Sequence, residues 1–161
     1  MPTIIATPGA VDANSYVTLA EADAYHGTRL FNSAWTGATQ ANRETALIWA
    51  ARILDRENFL GYRTAESQSM RWPRVDVYDR DGYYINANVV PQFLKNAQSE
   101  LAFLLVQADR TVESGTEGFK KIKVGSIELE IDGHDRVKAI SPEINQMLTG
   151  YVESGTRMVR G

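Results

Sequence analysis

The sequence predicts a mainly α fold: a small helical bundle with a β-hairpin inserted before a last short helix. Three observations predict it. Two long segments, residues 41–57 and the stretch opening at Pro91, repeat apolar residues at helical spacing. Between residues 120 and 131 the period changes to alternation of apolar and charged residues around a Gly-Ser pair. The chain of 161 residues is the size of one ordinary domain with one core, and it contains no cysteine to staple a smaller one.

The first helix opens in "TLAEADAYHGTRLF". Thr18 is a good N-cap, and Glu21 three residues on completes a capping box. Leu19, Ala22 and Leu30 give a thin apolar stripe, interrupted by Gly27. "NSAWTGATQ" then reads as turn chemistry around Trp35. In residues 41–57, Leu47, Ala50, Ala51 and Leu54 recur on one face, widened by Ile48, Trp49 and Ile53. Gly61 punctuates the end.

The third helix follows Pro91, a residue tolerated in the first turn. Leu94, Ala97, Leu101, Leu104, Leu105 and Ala108 form its broad stripe. Leu101 and Leu104 are expected to bury against Leu47, Ala50 and Leu54. In the hairpin, Gly125 and Ser126 form a two-residue turn that sets Val124 opposite Ile127 and Ile122 opposite Leu129. A lone hairpin is marginal in water, so its apolar face needs a cover. Ser141 caps the last helix, Pro142 starts it, and Ile144, Met147, Leu148 and Tyr151 form its face. These signals place a single helical domain over residues 1–149 and a flexible tail over 150–161.

Composition excludes several functions. No apolar run approaches the roughly 20 residues of a membrane span. The first residues have neither a basic n-region nor an apolar h-region, so they do not read as a secretory signal. Net charge is −3 and evenly spread: residues 1–60 carry four arginines against six acids, residues 61–90 four against four, and residues 91–161 nine bases against ten acids. No segment has the basic excess of a high-affinity phosphate binder.

The stretch "QSMRWPRVDVYDRDGYYI" (residues 68–85) concentrates the chemistry-bearing side chains. A calcium loop fails at both ends, since Val77 and Asn88 stand where ligands should be; Asp81-Gly82 reads as a turn. His26 and His134 sit in no metal or nucleophile motif, and His26 is expected at the surface or half-buried. With no hydrolase or phosphate-loop signature, no catalytic residue, cofactor or metal site is assigned. "MRWPR" and "GYY" combine bases with aromatics, as single-strand binders do. The competing reading buries Trp72, lets Pro73 fix the chain direction, and pairs Arg71 and Arg74 with acids inside the subunit or across an interface. The local charge balance of zero favours the second reading.

The order of signals carries a resemblance. "NSYVTLAEADAYH", "ETALIWAARILDRENFLGYR", "QSMRWPR" and "VVPQFLKNAQSELAFLL" together resemble a family of small tailed-phage virion proteins, often labelled putative DnaT-like single-stranded-DNA-binding protein, many of which look like head–tail connectors. The resemblance covers residues 14–108. It implies a mostly helical, non-enzymatic subunit that needs no cofactor and forms a ring, usually dodecameric, beneath the portal vertex. It further implies contacts with the portal protein, with a downstream tail or stopper component, and passively with genomic DNA in the channel, with no membrane contact. The location implied is the virion head–tail interface, and the host cytoplasm during assembly. A single-stranded-DNA-binding module is the alternative. Candidate subunit contacts are Arg71, Arg74, Asp79, Arg80, Tyr83, Tyr84, Gly125 and Ser126. Related adaptors grip the portal with C-terminal extensions, so by resemblance Tyr151, Val152, Arg157, Met158, Val159 and Arg160 would do so here.

Overall fold

In the computed structural model, α4 (Gln92–Gln107) lies against α3 (Gln40–Leu54), and this is the most extensive packing between any two elements. The structure describes residues 2–110, the strands 121–124 and 127–130, and residues 139–153. Leu47, Ala50 and Leu54 of α3 and Leu94, Ala97 and Leu101 of α4 are fully buried. Leu104 is only half-buried, because the last turns of α4 run out to Ala108 at the surface. Small residues on both helices bring the backbones close, and burial of each leucine stabilises by about 2 kcal/mol.

Shorter elements brace this pair. α1 (Leu19–Gly27) carries the predicted capping box, with Thr18 and Glu21 bonding each other's backbone N–H. Glu21 also meets Lys95 of α4 at 2.6 Å. The turn expected around Trp35 is instead one helical turn, α2 (Ser33–Gly37). Its cause is tertiary: the buried indole donates Nε1–H to Asp23 at 2.8 Å and lies beside His26. His26 is fully buried, not half-exposed, with Nε2 donating to the Ser99 carbonyl at 3.1 Å.

Two boundaries differ from expectation. α3 stops at Leu54, where Arg56 and Glu57 make tighter bonds to Ile53 and Leu54. Pro91 is the extended N-cap of α4, one position before the first helical residue, and its carbonyl accepts from Leu94.

Two antiparallel pairs complete the fold. β1 (Tyr62–Arg63) pairs with β2 (Arg74–Val75) inside the connection from α3 to α4, a pairing too short for periodicity to announce. β3 (Lys121–Val124) pairs with β4 (Ile127–Glu130) in the predicted register, Val124 opposite Ile127 and Ile122 opposite Leu129. Gly125 and Ser126 lie outside the described residues. α5 (Pro142–Leu148) is capped by Ser141, buries Ile144 and Leu148, and packs on α4. Among the described residues no helix is long and apolar enough to cross a membrane.

The boundary expected after residue 149 falls too early. Tyr151 is buried and stacks on Phe93, with ring centroids 3.7 Å apart. Its carbonyl accepts from Leu60 N–H, Val152 bridges to Phe59, and Glu153 N–H donates to Asn58. Backbone pairing with the chain just after α3 is what holds these residues down.

Candidate interaction surface

The connection from Asp55 to Pro91 holds most of the chemistry-bearing side chains, and it is pinned at its start and in its middle. At its start, the Asp55 carboxylate accepts from the Tyr16 hydroxyl and from the Arg71 backbone N–H. Burial pushes the Asp55 carboxyl up from its ordinary value. Burial, then the neighbouring Asp55 charge, pushes the Tyr16 phenol well up as well. In the middle, Trp72 is buried edge-on between Phe59 and Phe93, and the bond to Pro73 is cis. Gln68, also buried, ties the loop to itself by donating to the Met70 and Pro73 carbonyls.

Arg74 is the centre of this arrangement. A salt bridge or a subunit contact is the expectation from sequence; among the described residues it forms no ion pair. Its guanidinium donates to the carbonyls of Phe59, Leu60, Gly61 and Arg71 at 2.6–3.1 Å. The acids nearby in sequence do not reach it: Asp76 is exposed, and Asp79 serves its own turn. Burial, then the charge of Arg71, lowers the Arg74 pKa from the ordinary arginine value. Gly61 makes the close approach possible. It sits at φ +70°, and a Cβ there would fall 2.2 Å from the Val75 carbonyl oxygen.

The remaining expected contact residues divide. Arg71 is exposed, and its Nε donates to the Asp55 carbonyl. Arg80 reaches across the fold to donate to the Gln146 and Thr149 carbonyls at the end of α5, where a cation complements the helix dipole. Asp79 accepts from the N–H of Asp81 and of Tyr83, closing the Asp81-Gly82 turn predicted from sequence. Tyr83 and Tyr84 are exposed, and Tyr84 pairs edge-on with Tyr78. Tyr151 and Val152 belong to the body of the fold, as described above. Arg157, Met158, Val159 and Arg160 lie outside the described residues.

The result is a rigid platform with an aromatic exterior. Of the nine exposed large apolar residues among those described, six fall between 60 and 89: Leu60, Tyr62, Tyr78, Tyr83, Tyr84 and Val89. Of the five arginines between 55 and 91, Arg63, Arg71, Arg74 and Arg80 donate to backbone carbonyls. Among the described residues no group of three His, Asp or Glu side chains converges as a metal site.

Sequence reasoning missed a second surface. The face of α3 carrying Thr45, Ile48, Trp49 and Arg52, with Arg56 and Pro2, encloses an open hollow of about 480 Å³. Ile48 is buried as expected, whereas Trp49, expected on the same core-facing stripe, is only half-buried and lines the hollow; the spacing of Trp49, Arg52 and Arg56 at three and four residues is the available signal.

The family model described as "Putative DnaT-like ssDNA binding protein" matches residues 1–161. The chain belongs to this family. No curated protein and no solved structure matches the chain.

Proposed function

We propose that the protein is a structural, non-catalytic subunit of a tailed-phage virion. In this reading it is a head–tail connector whose copies form a ring beneath the portal, lengthen the DNA channel and receive the next tail component. The observation that carries this reading is the 55–91 platform. It exposes a cluster of tyrosines and aliphatics while four of its five arginines are spent on carbonyls of the same chain. Aromatic surface of this kind suits contact with protein. A binder of single strands would instead leave its guanidinium donors free beside the stacking rings. The near-neutral charge fits a channel through which DNA must slide.

A second reading, a single-stranded-DNA-binding module, is favoured by the family's description and by the two arginines beside Trp49. One experiment separates the two. The purified full chain is examined by native mass spectrometry and negative-stain microscopy. It is then titrated with an oligothymidylate at about 50 and about 200 mM salt. Rings with weak, salt-insensitive DNA contact support the connector. A monomer whose DNA affinity falls steeply with salt would transfer the function to the second reading.

A further inference from the structure

We propose that the α3 hollow is the socket for a second copy of this chain, and that the plug is the acidic, tyrosine-bearing turn at residues 76–84. The inference rests on the ring reading above and names the contact that would build the ring.

The socket is lined by Pro2, Thr45, Ile48 and Trp49 together with Arg52 and Arg56. Both arginines are exposed, and neither guanidinium has a hydrogen-bond or ion-pair partner among the described residues. This sets them apart from Arg63, Arg71, Arg74 and Arg80, which are all engaged. Two unengaged guanidiniums lining one hollow with a tryptophan and an isoleucine form the kind of patch that anchors protein interfaces. They are too few to track a nucleic-acid backbone, which needs a run of bases.

The plug is complementary. Asp79 N–H bonds the Tyr83 carbonyl, and Ile85 N–H bonds the Val77 carbonyl, so residues 77–85 form a tight hairpin. Asp81 is exposed at its tip and Asp76 at its base, and neither carboxylate has a partner among the described residues. Tyr83 stands beside Asp81 with 72% of its surface exposed. Arg80 locks this hairpin to the end of α5, so the plug is held rigid at the surface. Socket and plug are different patches on the same subunit. A contact between different patches is head-to-tail, and repeated head-to-tail contacts close into a ring when the rotation from copy to copy divides a full turn.

The test is a charge exchange, read by sedimentation velocity across a concentration series of the full chain. One variant carries Arg52→Glu with Arg56→Glu. The other carries Asp81→Lys with Asp76→Asn; asparagine is chosen because residue 76 sits at φ +57°, where Asn and Asp are best tolerated. All four residues are exposed, and unchanged circular dichroism and melting serve as the folding control. Each variant alone should self-associate at least about tenfold more weakly than the wild type, roughly 1.4 kcal/mol. Mixing the two should restore assembly, because each reversed socket then faces a reversed plug. Wild-type rings that ignore both variants, or variants that fail to rescue each other, would overturn this contact and leave the connector reading standing. Loss of oligonucleotide binding in the arginine variant with unchanged self-association would assign the hollow to nucleic acid instead. A wild type that stays monomeric at millimolar concentration would overturn both the contact and the ring.

Discussion

Replacing Arg74 with alanine tests how the 55–91 platform is held. The guanidinium satisfies four carbonyls, those of Phe59, Leu60, Gly61 and Arg71, and the residue is only 7% exposed. A hydrogen bond from a charged donor contributes about 1.5–3 kcal/mol, and a buried carbonyl left unsatisfied costs about 1–3 kcal/mol. Full additivity would exceed what single substitutions show, and water entering the vacated space recovers part of the loss. The expected cost is therefore about 3–5 kcal/mol. With a urea m-value of about 2 kcal/mol/M, the unfolding midpoint should fall by about 2 M. Arg74→Lys keeps the charge but not the planar fork, so it should recover only about half of the loss. Equilibrium urea melts followed by tryptophan fluorescence measure both. A cost below about 1 kcal/mol for Arg74→Ala at unchanged m would show that these carbonyls are held by other contacts.

Other perturbations follow from the same packing. Leu101→Ala should cost about 2–5 kcal/mol in the same melts, since Leu101 is fully buried where α3 and α4 meet. Gly61→Ala should destabilise by about 3 kcal/mol, because the added Cβ meets the Val75 carbonyl and a positive φ together. Truncation after Gly150 should lower the melting temperature, as Tyr151 and its stacking on Phe93 are lost, whereas truncation after Glu153 keeps both. Burial lowers the His26 pKa below the ordinary value of 6.5, so below that pH the unfolded chain takes up a proton that the folded chain resists. Stability should then fall as pH drops through about 6.5, and the wild-type advantage over His26→Gln should shrink with it. A constant difference between pH 8 and pH 5 would remove His26 as the cause.

What was legible in the sequence was local or periodic. The Thr18–Glu21 box needs only four residues, the α3 and α4 stripes need a period, and the β3–β4 register needs a two-residue turn. The burial of Trp72 could be argued from its neighbours Pro73 and Arg74. The rest depended on partners that spacing cannot reveal. Trp35 is helical because Asp23 and His26 receive its indole, and His26 is buried because the Ser99 carbonyl of α4 accepts a hydrogen bond from its Nε2–H. Three acids lie within seven residues of Arg74, which made an ion pair the natural expectation. The backbone turns those acids outward and brings four carbonyls to the guanidinium instead. Tyr151 and Val152 read as tail because their docking partners, Phe59, Leu60 and Phe93, lie far upstream.

Gln98 is buried in α4 and ties two separate parts of the chain to it. It accepts from the Tyr16 N–H at 2.8 Å and donates to the Ser15 hydroxyl at 2.7 Å and to the Leu47 carbonyl at 2.8 Å. Two of these bonds span more than eighty residues of sequence. The consequence lies in the order of events on the ribosome. Chain emerges from the N-terminus at about 5–20 residues per second, so the Ser15–Tyr16 segment waits several seconds for its partner to be made. Until then α1 and α3 can form only as fluctuating helices with their apolar faces uncovered. The arrival of α4 seats both pieces on one amide side chain, and α5 and Tyr151 then close the interior over it.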